Sequence, residues 1–328
     1  MRVLVLGGTG FVGRSVATAA VARGDQVTVV NRGHRPALDG VRALVGDRLA
    51  PGGLAALGDD TWDAVVDTWS ADPAAVRSAA AVLKGRAGHY TYVSSRSVYA
   101  EGATPPLNED NPVVDPDKTD FLYAAQKRAG ELAAEQEFTG PVLLARAGLI
   151  LGPHEDVGRL PWWLTRLARG GPTLAPNPPD LPLQYIDARD LATFVLDAAA
   201  RGLAGPYNLV SEPGHTTTGE LLTTANEVTG GRAELRWTDP QVILDAGIEP
   251  WTELPIWLPA GSSDYQLLHQ GDVTKALAAG LRLRPVRDTV ADTWAWMQSS
   301  GGVPPQRSDR PRPGLDPAKE QALLAEQP

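Results

Sequence analysis

RVLVLGGTGFVG, residues 2–13, holds an apolar run, a glycine loop and the first turn of an amphipathic stretch in twelve positions. The run from Val3 to Leu6 is continuously apolar, as a strand buried on both faces of a parallel sheet requires. The glycines that follow, Gly7-x-x-Gly10-x-x-Gly13, place the middle glycine one position later than in the commoner G-x-G-x-x-G pattern. With a strand before and a helix after, such a loop permits a tight turn, backbone approach to a pyrophosphate and close helix packing, with the phosphate at the helix N-terminus. Gly7, Thr9, Gly10, Phe11, Val12 and Gly13 are the expected dinucleotide cradle. The alternative is an ordinary glycine turn between strand and helix.

The same alternation continues through the first half of the chain. Short apolar runs at Arg2–Leu6, Gln26–Val30, Val41–Val45, Ala64–Asp67, His89–Val93 and Val142–Arg146 predict strands, and Phe11–Arg23, Pro73–Leu83 and Asp120–Phe138 predict helices. This pattern predicts an α/β fold, a doubly wound parallel sheet of the Rossmann type. Right-handed crossovers put the ligand crevice at the carboxyl ends of the strands, where the glycine loop, Thr68-Trp69 and Ser94-Ser95 fall. After Arg146 the proline and tryptophan content rises through GPHEDVGRLPWWL and APNPPDLPLQYIDARD. Residues 1–150 are the expected dinucleotide-binding domain, with 181–210 returning to it. A smaller, discontinuous C-terminal substrate lobe is expected from 151–180 and 211–300, and 301–328, rich in Pro, Arg, Gly and Asp, is expected to be a mobile tail.

Composition narrows the functions. Of 328 residues 43% are hydrophobic, enough for a sizeable core, and there is no cysteine, which excludes disulfides, thiolate nucleophiles and cysteine-based metal sites. No metal site is expected. Thirty Lys and Arg against 39 Asp and Glu leave a net charge of −9, which disfavours nucleic acid and anionic membranes as partners. No apolar run approaches the ~20 residues of a membrane span, so the expectation is a cytoplasmic protein acting on a small molecule.

The chemistry is suggested by FLYAAQKRAGEL, residues 121–132, in which Tyr123 and Lys127 stand four apart. At helical spacing both project from one face. A cation beside a phenol favours its ionised form, drawing its pKa down from about 10 toward the range in which it can give or take a proton. An ordinary helix-surface contact is the other reading. Ser94-Ser95-Arg96-Ser97 follows a predicted strand, where one hydroxyl can donate to a substrate oxygen, although serines there also serve as turn residues.

After the second predicted strand the chain reads Asn31-Arg32-Gly33-His34-Arg35, where an NAD site usually carries a carboxylate for the ribose hydroxyls. A guanidinium there can clamp a 2′-phosphate, so Asn31, Arg32 and Arg35 favour NADP over NAD, the alternative being solvated loop arginines. Asp47 can meet the adenine amino group or cap a turn.

GGTGFVG, SSRSVYA, YAAQK, LLARAGLILGP and YIDARDLA resemble the extended short-chain dehydrogenase/reductases, the NAD(P)-dependent epimerase/dehydratase group, over about residues 1–210. The resemblance implies a triad of Ser95, Tyr123 and Lys127. In it the serine binds the reacting oxygen, the tyrosine acts as acid or base, and the lysine holds the nicotinamide ribose. Ser95 is the matching serine because it lies three residues before Val98. Three departures stand out. Ala100 replaces a glycine. Asp67-Thr68-Trp69-Ser70 stands where relatives often carry a histidine and two alanines, so Thr68 and Trp69 are expected at the cofactor, or Trp69 packs in the core. Arg96-Ser97 stands where dehydratases have an acidic pair, which leaves a dehydratase without its elimination acid and base. The chain looks most similar to the atypical branch, which includes isoflavone-type reductases, sugar-modifying enzymes and plastid RNA-binding proteins.

The expected function is an NADP-preferring oxidoreductase moving hydride between nicotinamide and a carbonyl or alcohol of a small polar metabolite, a sugar nucleotide or secondary metabolite being what the family implies. The alternatives are an NAD-dependent sugar epimerase with tightly held cofactor, and a non-catalytic cofactor-sensing or RNA-binding protein. His154, Trp162, Trp163, Arg166 and Gln184 are candidates to line a substrate pocket, and the alanine face of 120–138 suits either a homodimer interface or a monomer's core. Arg146 and Arg189 are expected to pair with acids such as Asp187 and Asp190 rather than meet a ligand.

Overall fold

The computed structural model describes residues 1–36, 38–302, 306–307 and 311–326. Along the chain run β1 (Arg2–Leu6), α1 (Phe11–Ala22), β2 (Gln26–Asn31), β3 (Val41–Val45), β4 (Ala64–Asp67), α2 (Ala74–Leu83), β5 (Tyr90–Ser95), α3 (Leu122–Glu137) and β6 (Val142–Ala147). There follow β7 (Leu149–Leu151), α4 (Arg159–Arg169), β8 (Gly171–Pro176), β9 (Tyr185–Asp187), α5 (Ala188–Ala200), β10 (Gly205–Leu209), α6 (Thr218–Val228) and β11 (Ala233–Thr238). The last elements are α7 (Pro240–Asp245), α8 (Ser263–His269), α9 (Thr274–Ala278), α10 (Val286–Ser299) and α11 (Pro317–Ala325).

The chain divides into two compact units. The first comprises residues 1–148, 188–210 and 271–282, and the second 149–187, 211–270 and 283–328. The first unit is built on a seven-stranded sheet in the order β10-β6-β5-β4-β1-β2-β3, with every pairing parallel. This is the expected doubly wound order. The order in which strands are added reverses between β1 and β4, and ligand crevices in such sheets form at the carboxyl ends flanking that switch. Helices α2 and α3 pack on each other over one face, burying Val76, Ala79, Leu83, Ala133 and Phe138 against Leu4, Leu6, Tyr90 and Tyr92. On α1, which packs against α5, Val16, Ala17 and Ala20 are fully buried.

The second unit holds two parallel strand pairs, β7 with β9 and β8 with β11, around a core that includes Leu160, Trp163, Leu167, Leu222 and Met297.

Two boundaries differ from the sequence reading. The return to the first unit begins at Ala188 rather than near 181, because Tyr185–Asp187 pairs with Leu149–Leu151 inside the second unit. Residues 271–282, expected in the substrate lobe, belong to the first unit. There Lys275 donates to the Pro206 carbonyl at 2.7 Å, and Asn208 donates to the Asp272 carbonyl at 2.9 Å.

The tail also departs from expectation where it is described. Residues 303–305, 308–310 and 327–328 lie outside the described residues, but 317–325 form α11, with Asp316 accepting from the Ala318 N–H as its cap and Pro317 at the first helical position. Leu315 and Leu323 join the core, and the buried Glu320 carboxylate accepts from Arg166 Nε at 2.7 Å and the Leu174 N–H at 3.0 Å. A polar composition signals disorder only while its charges remain solvated. Here one of them is buried with two donors. Among the described residues no helix is long and apolar enough to cross a membrane.

Candidate active site

The glycine loop connects β1 to α1 as the sequence pattern requires, and its glycines do different work. A Cβ on Gly13 would collide with the Gly7 carbonyl, so Gly13 is required by the protein's own packing of helix on loop. Gly10 is different, since the nearest atom to a Cβ there is the Gly7 carbonyl at 3.7 Å. The bare backbone at Gly10 therefore leaves room that the chain itself does not fill. Gly10 is also the N-cap of α1, and no side chain caps that helix. Uncapped N–H groups with the positive end of a helix dipole form a binding place for an anionic group. The residues present fit a dinucleotide pyrophosphate.

Beside this loop, Thr68 donates its hydroxyl to the Leu6 carbonyl at 2.9 Å, which fastens the end of β4 to the end of β1. Asn31 ends β2, and its side-chain oxygen accepts the Gly33 N–H at 2.7 Å, turning the chain sharply. Arg32 is exposed. Arg35 reaches back across the turn, its Nη1 donating to the Thr9 carbonyl at 3.1 Å, so a guanidinium stands at the rim of the glycine loop. Asp47 is exposed and accepts the Leu49 N–H at 3.1 Å, a turn-capping contact.

Tyr123 and Lys127 both lie on α3, which packs against β5 and the turn 96–98 that follows it. That packing brings the phenol-bearing and ammonium-bearing helix to the strand end that carries Ser95. Lys127 is 3% exposed, and its Nζ donates to the Val93 carbonyl at 2.6 Å and the Trp69 carbonyl at 2.7 Å. The ammonium also lies 4.8 Å from the Tyr92 ring centre, within cation–π range. Tyr123 is half-buried. Ser95 is 7% exposed, with its hydroxyl donating to Ser97 Oγ at 3.2 Å and accepting the Ser97 N–H at 3.1 Å. Ser94 turns elsewhere and donates to Glu131 Oε1 at 2.7 Å.

Several residues that shape this region were not singled out by sequence. Glu131 sits on α3 four residues beyond Lys127 and is fully buried, accepting from Arg146, Arg128 and Ser94. Arg146 thus pairs with Glu131, not with Asp187 or Asp190. Burial works against its charge, but the carboxylate overrides that penalty and holds the guanidinium pKa above its usual value. Asp187 instead accepts from the Thr289 hydroxyl at 2.9 Å. Asp67 at the end of β4 is fully buried and forked by Arg48. The signals were present: an acid at helical spacing from Tyr123 and Lys127, and a charge closing the apolar run Ala64-Val65-Val66.

Trp69 is half-buried, donates its indole N–H to the Asp72 carbonyl at 2.8 Å, and has the Arg48 guanidinium 5.2 Å from its ring centre.

The candidates for a substrate pocket all fall in the second unit and have structural partners there. Gln184 is fully buried and donates to the Ser211 carbonyl. Trp163 donates to the Pro255 carbonyl and meets Trp162 edge-on, with ring centres 4.7 Å apart. His154 lies against Trp296, 5.1 Å between ring centres. Arg166 is buried against Glu320 and also donates to the Gly170 and Pro172 carbonyls, yet it borders a cavity of about 600 Å³ with Arg169 and Arg236. Among the described residues no cluster of three or more His, Asp or Glu could hold a metal ion.

Comparison with known proteins agrees with this architecture. The chain is 34% identical over 229 residues to 2'-dehydrokanamycin reductase of Streptomyces kanamyceticus, a match covering 62% of this chain. The match spans 60% of that relative's length. UDP-N-acetylglucosamine 4-epimerase from Bacillus cereus superposes with a TM-score of 0.71 at 17% identity, covering 94% of this chain and all of that one. The Bordetella bronchiseptica enzyme WbmH, solved in complex with NAD+, gives a TM-score of 0.68 at 20% identity, covering 92% of this chain and 99% of that one. At those identities the likeness is one of fold. Residues 3–209 match the NAD dependent epimerase/dehydratase family, and the chain belongs to it.

Proposed function

We propose that this protein is an NADP-preferring reductase that converts a carbonyl of a small polar metabolite to an alcohol. The observation that carries the reading is the placement of Tyr123 and Lys127 on one helix packed against the strand that ends in Ser95, in the same unit as the glycine loop. The reductase relative supports the direction of reaction, and its name makes 2'-dehydrokanamycin the first compound to try.

Gly10 and the first turn of α1 would hold the pyrophosphate, and Arg32 and Arg35 the 2′-phosphate. A nicotinamide cofactor, when bound, supplies the hydride. Ser95 donates a hydrogen bond to the carbonyl oxygen and so stabilises the negative charge that develops there. Tyr123 gives that oxygen its proton, completing the alcohol, and recovers a proton from solvent. Lys127, its ammonium anchored by two carbonyls, holds positive charge near the phenol as the proton leaves.

The test is to strip bound cofactor from purified protein and follow NADPH and NADH absorbance on adding keto-sugars. Net, exchangeable NADPH oxidation supports the proposal. A stoichiometric NAD that never exchanges and is never consumed overturns it in favour of epimerisation.

A further inference from the structure

Lys127 is held from two sides, and the two carbonyls differ in how they are themselves held. Val93 lies inside β5, where the sheet ladder fixes it. Trp69 lies two residues beyond the end of β4, outside any ladder, and Asp67 Oδ1 accepts its N–H at 3.0 Å, which fixes the Thr68–Trp69 peptide, one Cα before the carbonyl that meets Lys127. Asp67 is in turn surrounded. Arg48 Nη1 and Nη2 donate to its two oxygens at 2.6 Å each, the Tyr90 hydroxyl donates to Oδ2 at 2.6 Å, and Arg48 also donates to the Ala75 carbonyl at 2.9 Å. Polar contacts thus run from Arg48 through Asp67 to the Trp69 N–H, and the carbonyl of the same residue meets the Lys127 ammonium.

The energetics argue that this arrangement is there for geometry. Burying an ion pair costs desolvation that its attraction roughly repays, so well-packed apolar residues in its place would serve stability as well. What they could not do is define the direction of a backbone carbonyl. A carboxylate with donors converging from the turn after β3, from β5 and from the turn after β4 has one orientation, and by fixing the Thr68–Trp69 peptide it leaves only the torsions at the Trp69 Cα to set the carbonyl that meets Lys127.

We infer that Arg48 and Asp67 are a positioning pair for Lys127, aiming the Trp69 carbonyl at its ammonium. The inference rests on the reading above, in which Lys127 serves the proton transfer at Tyr123. Neither residue of the pair is placed against substrate or cofactor. The test is a spectroscopic one that needs no turnover. In the full chain labelled with ¹⁵N-lysine, a hydrogen-bonded ammonium exchanges its protons slowly enough to be seen, and Lys127→Arg identifies the signal among the five lysines.

The triple variant Arg48→Met/Asp67→Leu/Tyr90→Phe removes the network without leaving an unpaired charge, so direct electrostatic effects largely cancel. Its Lys127 ammonium protons should exchange about tenfold faster or more, as loss of one anchoring hydrogen bond permits. An unchanged rate in a folded triple variant overturns the inference. Should that variant not fold, hydrogen exchange of the Trp69 amide in the unaltered protein decides the matter. Protection of about a thousandfold is expected of an amide held in a buried network, and a rate near that of a free loop overturns the inference. Neither measurement depends on reductase activity. A protein without turnover leaves this result standing, and a working reductase with a freely exchanging Trp69 amide overturns the positioning claim alone.

Discussion

Arg146 Nε donates to Glu131 Oε1 at 2.9 Å and Nη2 to Oε2 at 3.1 Å, with both side chains buried, so β6 and α3 are joined by a forked ion pair on the helix that carries Tyr123 and Lys127. Truncating one partner strands the other in a dry environment. Glu131→Ala should destabilise the protein by about 3 kcal/mol, measured by urea denaturation. A loss below about 1 kcal/mol would show that water reaches Arg146.

Tyr123→Phe keeps the ring and removes only the hydroxyl. Cofactor affinity, read by fluorescence titration, should be retained, while kcat should fall by about 10²–10⁴, the usual cost of a lost general acid. Comparable turnover in the variant would remove Tyr123 from the mechanism.

Gly10 and Gly13 should respond to alanine in opposite ways. Gly13→Ala drives a Cβ into the Gly7 carbonyl and should lower the melting temperature. Gly10→Ala meets nothing closer than 3.7 Å, so its melting temperature should be unchanged. If the space belongs to a pyrophosphate, its Kd for dinucleotide should rise by about tenfold or more.

Arg35 already stands on the Thr9 carbonyl at the loop's rim, and Arg32 is exposed beside it. The double variant Arg32→Ala/Arg35→Ala should weaken NADPH binding by about 10–100-fold, as loss of charge-assisted hydrogen bonds to a phosphate implies. NADH binding should change little. Equal weakening of both by calorimetry would mean that these arginines do not read the 2′-phosphate.

Glu155 gives a pH signature in the second unit. Its carboxylate accepts the N–H groups of Arg159 and Leu160 at 2.7 and 3.2 Å, capping α4, yet complete burial pushes its pKa up from 4.5 to about 7. The folded state therefore binds this proton more tightly than the unfolded state. The stabilising contribution is complete below the unfolded value and is lost as pH rises through the window from about 4.5 to about 7, on the order of 3 kcal/mol in all. In urea denaturation across that window, Glu155→Gln should show a correspondingly flatter profile than the unaltered protein. Parallel profiles would mean that the carboxylate is ionised throughout.

Much of the first unit was legible because its signals are local. β1, β3 and β4 have the expected bounds, and the helices carrying the glycine loop's partner face and the Tyr123–Lys127 pair fall within a residue or two of them. Each is a continuous apolar run or a period of 3.6, properties that neighbours in sequence display without help. The second unit was harder to read. Its strands are short and pair across long stretches of chain, Leu149–Leu151 with Tyr185–Asp187 and Gly171–Pro176 with Ala233–Thr238, so no local pattern announces the pairing.

The partners of buried charges followed the same division. Arg146 was legible as a residue needing an acid, but its acid proved to be Glu131, and Arg166 proved to hold α11 through Glu320, 154 positions away.

The amino-acid order alone settled the parallel sheet, the glycine loop and the spacing of phenol and ammonium, because each is written in local patterns: apolar runs alternating with helical periods, one loop, and one helical turn. Which acid met which guanidinium, that Trp69 offers its carbonyl to Lys127, and that residues 271–282 rejoin the first unit were settled only in three dimensions. The desolvation of a charge makes it seek whatever partner folding brings near, and sequence distance sets no limit on that choice.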